Sequence, residues 1–177
     1  MHRITLVLCL TICLIPTASG TTHVVNPAGT GDYPTIQAAI DGAAPGDTIA
    51  LTDGQFTGSG NRGLRYFGKA IMILSHSGDA QQCRIVCQNS SFGVAFDHGE
   101  GPGSILQGVM IRSGYATRGG GINCEGSSPT INNCIFWRCK ADQRGSGLAC
   151  DNASPTVTDC VFSCNLPHYS EAHLQII

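Results

Sequence analysis

A gapless internal repeat is the feature of this sequence that most restricts its fold. Residues 121–136 read GINCEGSSPTINNCIF, and residues 147–162 read GLACDNASPTVTDCVF. The identical positions are the Gly, both Cys, a Ser, the Pro, the Thr and the Phe. A fainter copy lies upstream, where 104–110 aligns with 130–136 at the same offset and Phe96 aligns with Ile122. Repeats of about 20–50 residues are typical of solenoids, in which each repeat buries the apolar face of its neighbour.

The composition of each repeat favours strands over helices. A repeat contains about three short pieces rich in Ile, Val and Phe, separated by Gly, Ser, Pro and Asn. Leucine-rich and ankyrin repeats need helical segments, and a propeller blade needs about 40 residues. We therefore predict an all-β solenoid of stacked strands that bends at Asn133 and Asp159. Three apolar pairs should then stack between neighbouring coils: Ile122 on Leu148, Ile131 on Val157, and Phe136 on Phe162.

The first twenty residues are typical of a secretory signal peptide. An apolar run over residues 4–15 follows a short basic start, and Ala18 and Gly20 stand like positions −3 and −1 of a cleavage site. A membrane anchor is the alternative, but the run is shorter than the roughly 20 residues that a spanning helix needs. We expect a protein that is secreted or held at the cell surface, with no membrane span after signal cleavage. A net charge of −2 argues against nucleic acid as a partner.

A short helix is predicted near the start of the exported chain. Ile36, Ala39, Ile40 and Ala43 recur at helical spacing on one face. Pro34 suits the first helical turn, and the glycines between residues 42 and 46 end the helix. Such a helix would cap the open end of a solenoid, as terminal caps must. We expect the first strand of the solenoid at residues 47–51.

The same region carries a family resemblance. Gly31-Asp32-Tyr33, Thr35-Ile36-Gln37 and Pro45-Gly46-Asp47-Thr48-Ile49 resemble the opening of the pectin-lyase-like superfamily, which includes pectin methylesterases. Gly-Gly-Gly-Ile at 119–122 and Ser-Pro-Thr-Ile at 128–131 resemble the repeats of bacterial secreted β-helix proteins. The resemblance covers about residues 24–165 and implies a right-handed parallel β-helix.

Three segments follow from these patterns. Residues 1–20 are assigned to the signal peptide, residues 21–165 to one right-handed parallel β-helix domain, and residues 166–177 to an irregular or truncated tail.

Candidate catalytic residues are Asp97, Arg112 and Arg118. Sugar-cleaving β-helix enzymes need paired carboxylates, or calcium-binding acids beside a base. Asp97 opens the run Asp97-His98-Gly99-Glu100, which could hold a metal or an acid–base pair. However, the repeat offset aligns His98 with Cys124, at a position that we expect to face inward. The acid motifs of pectin methylesterases and polygalacturonases are missing, and no cofactor is expected, with calcium as an exception for a lyase.

Candidate binding residues surround the repeats. Arg112 and Arg118, with Asp142 and Arg144 one repeat later, would line one groove, and the alternative is a solvated loop edge. Tyr115 and Trp137 are the aromatic residues that would contact a sugar. We favour an exported, non-catalytic scaffold that binds polysaccharide or a cell-surface glycan. The alternative is a polysaccharide lyase, hydrolase or pectinesterase-like enzyme that acts on acidic glycans.

Eight cysteines lie beyond the predicted cleavage site, and an even set in an exported chain suggests disulfides. Neighbouring coils place cysteines one rung apart, within the Cα range of about 4.4–6.8 Å for a disulfide. The alternative is a set of buried thiols that pack as small apolar groups. The candidate pairs are Cys124 with Cys150, Cys134 with Cys160, Cys139 with Cys164, and Cys83 with Cys87 inside a turn.

Overall fold

The structure is a computed structural model that describes residues 20–167. The predicted signal peptide, apart from Gly20, and residues 168–177 of the predicted tail lie outside the described residues. In chain order the described elements are β1 (Thr22–Val25), α1 (Ile36–Gly42), β2 (Thr48–Leu51), β3 (Gly54–Phe56), β4 (Leu64–Arg65), β5 (Met72–Ser75), β6 (Cys83–Val86), β7 (Val94–Phe96), β8 (Ile105–Gln107), β9 (Met110–Arg112), β10 (Tyr115–Arg118), β11 (Ile122–Glu125), β12 (Thr130–Asn132), β13 (Ile135–Trp137), β14 (Lys140–Arg144), β15 (Leu148–Asp151), β16 (Thr156–Thr158), β17 (Val161–Ser163) and β18 (Leu166–Pro167).

The strands form four parallel sheets that run along a solenoid. Sheet A has the order β1-β2-β5-β8-β12-β16, and sheet B has the order β3-β6-β9-β13-β17. Sheet C joins β4, β7, β11 and β15, and sheet D joins β10, β14 and β18. From β2 onward, successive strands along the chain lie in different sheets, so each coil adds one strand to each sheet that it crosses. The prediction of an all-β solenoid with one short helix is confirmed.

Like residues stack on like residues in the C-terminal coils, as predicted. Ile122 pairs with Leu148, Ile131 with Val157, and Phe136 with Phe162, all at the offset of the sequence repeat. The inward-facing partners Ile122, Ile131 and Phe136 are fully buried. Each coil therefore completes the core of the coil before it.

The upstream register differs from the prediction. Thr130 pairs with Ile105 and not with Ser104, so the alignment of 104–110 with 130–136 is wrong by one position. Phe96 pairs with Cys124 and not with Ile122, because that coil is longer than the repeat offset. Burial fixes the inward alternation of each strand, whereas the length of the surface loops between strands is free to vary.

The N-terminal helix begins later than predicted. Thr35 is the N-cap of α1, and its hydroxyl accepts a hydrogen bond from the backbone N–H of Ala38. Pro34 therefore precedes the cap and does not belong to the first turn. Ile36, Ala39 and Ile40 are buried. The helix packs on β1, β2 and β4, and so covers the N-terminal end of the core.

Strand β1 was missed at the sequence level. It pairs with β2 along its whole length, from Thr22↔Thr48 to Val25↔Leu51. It therefore precedes the strand at 48–51 that we expected to be the first. Only Val25 of β1 is buried, so the segment carries little of the apolar alternation that marks a strand.

Left-handed residues turn the chain at two corners of each coil. Between sheets A and B, Gly108, Asn133 and Asp159 have φ values of 67°, 49° and 54°. The predicted bends at Asn133 and Asp159 are thus confirmed. Between sheet B and the strands that follow, Ser113, Arg138 and Cys164 have φ values of 55°, 54° and 55°. One left-handed residue changes the direction of the strand in a compact corner.

The last described coil leaves part of its core-facing surface open. Val157 is 36% exposed and Phe162 is 39% exposed, although their partners one coil earlier are fully buried. Strand β18 also pairs with β14, which extends regular pairing to Pro167. Within residues 20–167, no helix has the length and apolar character needed to cross a bilayer.

Candidate functional site

The candidate site lies on the outer side of sheets B and D, around the corner that joins them. Trp137 is the outward residue at the end of β13, and Arg112 is its in-register neighbour on β9. Arg138 occupies the left-handed corner, and Lys140 begins β14. We call these four residues, Arg112, Trp137, Arg138 and Lys140, the cationic face.

Two guanidinium groups contact the indole ring of Trp137. The Cζ atom of Arg112 lies 4.5 Å from the centroid of the indole ring, and that of Arg138 lies 4.6 Å from it. Cation–π contacts of this kind contribute about 0.5–1 kcal/mol each at exposed sites. Contact with the indole thus restrains both arginine side chains.

The charges of the cationic face have no acidic partner among the described residues. Within residues 20–167 the ion pairs are Arg65–Asp97, Arg118–Asp151, His23–Asp47 and His98–Asp97. Arg112, Arg138 and Lys140 take part in none of them. Arg138 and Lys140 are exposed to solvent. Three positive charges therefore gather on one surface of a chain whose net charge is −2.

An open groove adjoins the cationic face at the same corner. We call it the corner groove, and its volume is about 510 Å³. Its lining combines polar, cationic and apolar groups: Asn89, Ser113, Arg138, Lys140, Cys164 and Leu166. Asn89, Ser113, Arg138 and Cys164 are all left-handed residues, so the groove follows the corner from coil to coil.

Tyr115 and Asp142, two of the predicted binding residues, lie beside Lys140 on sheet D. Tyr115 pairs in register with Lys140. The Tyr115 hydroxyl donates to the Asp142 carboxylate, with oxygen–oxygen distances of 2.9 and 3.1 Å. Tyr115 and Lys140 therefore lie side by side on adjacent strands of sheet D.

Arg118 and Arg144 pair with each other in register at the far end of sheet D. The Arg118 guanidinium donates to the side chain of Gln143 at 3.2 Å and forms an ion pair with Asp151. Arg112 lies on sheet B. The four residues predicted to line one groove, Arg112, Arg118, Asp142 and Arg144, are thus divided between two sheets.

The loop after β7 places Asp97 and His98 at the surface. The Asp97 carboxylate forms an ion pair with Arg65 and contacts Nδ1 of His98 at 2.7 Å. The side chain of His98 is 47% exposed, so the expectation that it faces inward is wrong. Because this coil is longer than the repeat offset, Phe96 takes the position below Cys124.

Glu100 anchors the same loop from inside. It is 1% exposed, and its carboxylate accepts hydrogen bonds from the backbone N–H groups of Gly68 and His98 and from the Ser127 hydroxyl. Burial alone would raise the pKa of Glu100, but these hydrogen bonds outweigh it and the pKa is lowered. The carboxylate is therefore occupied as a structural acceptor.

The eight described cysteines are all free thiols. Cys124 pairs in register with Cys150, and the backbone N–H of Cys134 lies 3.4 Å from Sγ of Cys160. Burial raises the pKa of Cys83 and Cys87 to about 12 each.

Two of the candidate cysteine pairs are wrong in geometry. The backbone N–H of Cys139 bonds to the Asn165 side chain, whereas Cys164 lies at the corner beside Arg138. Cys139 and Cys164 therefore do not occupy equivalent positions of neighbouring coils, because Cys164 precedes the position that matches Cys139 by one residue. Cys83 begins the extended strand β6 and Cys87 directly follows it, so they lie about 13 Å apart at roughly 3.3 Å per residue. That separation exceeds the reach of a disulfide.

Arg138 and Lys140 are the site residues that the sequence did not reveal. One signal was present, because Arg112 and Trp137 stand close to one coil length apart in the sequence. Within residues 20–167, no group of three or more His, Cys, Asp or Glu side chains is placed to hold a metal ion.

Comparison with known proteins finds no family model, no curated protein and no solved structure that matches this chain.

Proposed function

We propose that this protein is an exported, non-catalytic β-solenoid that binds an acidic polysaccharide on its cationic face. The observation that carries the proposal is the contact of the Trp137 indole with the guanidinium groups of both Arg112 and Arg138, at 4.5 and 4.6 Å. We also propose that the fold belongs to the right-handed, pectin-lyase-like superfamily that the opening of the chain resembles, and that the apolar N-terminal run directs export.

The arginines suit carboxylates better than other groups. A guanidinium presents a rigid fork of N–H donors that matches a carboxylate with two parallel hydrogen bonds. Since stacking on Trp137 already orders both side chains, binding costs less of their conformational freedom. Without ion-pair partners among the described residues, both forks are free for a ligand.

The arrangement suits a polymer. Arg112 and Trp137 stand on adjacent rungs, which repeat at about 4.8 Å along the solenoid. Lys140 and the corner groove continue the surface onto sheet D. A polysaccharide with regularly spaced carboxylates can bind Arg112, Arg138 and Lys140 at the same time. Several weak contacts made by one polymer raise its overall affinity for the protein.

The enzymatic alternative has less support. A lyase or hydrolase needs acids or bases that are aimed into a groove. The Asp97 carboxylate is instead paired with Arg65, and the lining of the corner groove contains no acid. Of the two candidate arginine bases, Arg118 is paired with Asp151, and the Arg112 guanidinium contacts the Trp137 indole.

A binding assay that also detects cleavage tests both functions at once. The purified chain is titrated calorimetrically with polygalacturonate and alginate, and with neutral dextran as the uncharged polymer. The same mixtures are assayed, with and without calcium, for unsaturated and reducing-end products. We expect binding to both acidic polymers, none to dextran, and no products. Products from either polymer would overturn the non-catalytic proposal.

Variants then locate the binding surface. Arg112→Gln and Arg138→Gln each remove one fork, and we expect each to weaken binding about tenfold, equivalent to about 1.4 kcal/mol. Arg144→Gln is the matched control, because it removes the same charge from the exposed far end of sheet D. If Arg144→Gln weakens binding as much as Arg112→Gln does, the site is not the cationic face.

A further inference from the structure

Two pairs of cysteines stack between the last two coils. Cys124 on β11 pairs in register with Cys150 on β15. Cys134 lies one coil below Cys160, since the residues on either side, Asn132 and Ile135, pair with Thr158 and Val161. In-register parallel strands lie about 4.8 Å apart, which falls within the Cα range of a disulfide. The backbone N–H of Cys134 also lies 3.4 Å from Sγ of Cys160.

Each pair joins a buried thiol to a more accessible one. Cys124 and Cys134 are buried, whereas Cys150 and Cys160 are half-buried because they lie on the outermost described coil. The neighbouring Cys134 thiol lowers the pKa of Cys160 to about 7, and the neighbouring Cys124 thiol lowers the pKa of Cys150. The same contacts and burial raise the pKa of Cys134 and Cys124. A thiolate is the form of cysteine that reacts.

We propose that each stacked pair is a reactive dithiol that closes to a disulfide between adjacent coils by exchange with a low-molecular-weight disulfide such as oxidised glutathione. The more accessible cysteine attacks and the buried cysteine resolves.

The exchange balances in two steps. The Cys160 thiolate attacks one sulfur of the glutathione disulfide, forms a mixed disulfide, and releases one glutathione thiolate that takes up a proton. Cys134 then loses its proton and attacks Sγ of Cys160, which releases the second glutathione. Two protein thiols are oxidised and one glutathione disulfide is reduced to two thiols. Cys150 and Cys124 follow the same steps.

The structure also supplies internal controls. Cys164 is exposed, but its neighbour on the preceding coil is Arg138. Cys139 is buried, and Asn165 occupies the matching position above it. Neither has a cysteine in register, so accessibility or burial alone would not produce a coil-to-coil disulfide at these positions.

Peptide mapping after oxidation tests the proposal. The folded full chain is treated with oxidised glutathione, unfolded, alkylated and digested without reduction. We expect crosslinked peptides for Cys124–Cys150 and Cys134–Cys160, and full alkylation of Cys83, Cys87 and Cys139. Absence of both crosslinks in a chain with the circular dichroism of a folded β protein would refute the proposal, as would Cys164 in place of Cys160.

Two variants separate the attacking from the resolving thiol. In Cys134→Ser the mixed disulfide cannot be resolved, so we expect a glutathione adduct to persist on Cys160. In Cys160→Ser we expect no adduct on the buried Cys134. Cys164→Ser is the control, and it should form the Cys134–Cys160 crosslink like the unaltered chain. An adduct on Cys134 in Cys160→Ser would reverse the assigned roles and so contradict the proposal.

Discussion

The ring of Phe162 stacks on the ring of Phe136, with centroids 4.7 Å apart and ring planes inclined by 16°. The two residues hold the same position in successive coils. Phe136 is nevertheless fully buried, whereas Phe162 is 39% exposed. The same side chain therefore occurs at equivalent positions of two coils, fully buried in one and partly exposed in the other.

Truncation of this pair should give unequal losses of stability. Phe136→Ala should lower the free energy of unfolding by about 3–5 kcal/mol, because a cavity remains between two coils. Phe162→Ala should cost about 2 kcal/mol, because part of its ring is already in contact with water. Urea denaturation followed by circular dichroism measures both. Equal losses would contradict this prediction, because they would mean that Phe162 is buried to the same extent as Phe136.

The left-handed corner at Asn133 should reject β-branched residues. Its φ of 49° is tolerated by Asn and Gly, but strains a β-branched side chain. Asn133→Val should lower the free energy of unfolding by about 1–2 kcal/mol relative to Asn133→Gly. Both variants lose the 3.0 Å hydrogen bond from the Asn133 amide to the Gly78 carbonyl. The difference between their free energies of unfolding therefore reports the strain of the left-handed backbone conformation. Equal stability would contradict the strain argument.

Asp47 should make the fold sensitive to acid. Hydrogen bonds from the backbone N–H groups of Ala44 and Thr21, with a further contact from His23, lower the pKa of Asp47 from 3.8 to about 2. A depressed pKa stabilises the folded state above the ordinary pKa, and this contribution is lost as pH falls through the folded one. The Tm should therefore fall between pH 3.8 and about 2.

The matched variant for this pH dependence is Asp47→Asn. It should melt at a lower temperature than the unaltered chain at neutral pH and show a smaller decrease in Tm over the acid range. Parallel Tm curves for the two proteins would mean that another carboxylate governs the acid response.

Lys69 should stabilise the N-terminal helix. Its ammonium donates to the backbone carbonyls of Ile40, Asp41 and Ala43 at 2.7, 2.8 and 2.9 Å, where the helix ends. Lys69→Met should lower the free energy of unfolding by about 1–2 kcal/mol, because a cation at a helix C-terminus is favourable. Lys140→Met is the control, and it should change stability by less than about 0.5 kcal/mol as an exposed substitution.

The solenoid was predictable where coil length is constant. The gapless match between 121–136 and 147–162 predicted the stacking of Ile122, Ile131 and Phe136 on their partners. The apolar spacing of Ile36, Ala39 and Ile40 likewise predicted a helix with one buried face. In both cases burial imposes a regular period on the sequence, and the period is visible without a structure.

Prediction was less successful where loop length varies. The earlier coils are shorter or longer than the repeat offset, and this shifted Phe96 and His98 from their expected positions. Arg138 belongs to the site because it occupies the corner that follows Trp137. Ser113 and Cys164 occupy the same corner in the neighbouring coils, so no recurring residue type marks it in the sequence. The pairing of Cys139 with Cys164 failed for a different reason, because Asn165 and not Cys164 stands at the constant repeat offset from Cys139. Cys139 is buried, whereas Cys164 is exposed at the corner.

The unbroken offset between β11 and β15, β12 and β16, and β13 and β17 makes this fold extensible by duplication. Residues 122–147 span one complete repeat. A second copy inserted directly after the first would continue the same strand pairing, because each coil contacts only its neighbours. One tandem copy would lengthen the molecule by about 4.8 Å and add another Trp-Arg step beside Trp137 and Arg138. The length of the cationic face can therefore evolve in whole increments, through recombination between repeats and without redesign of the core.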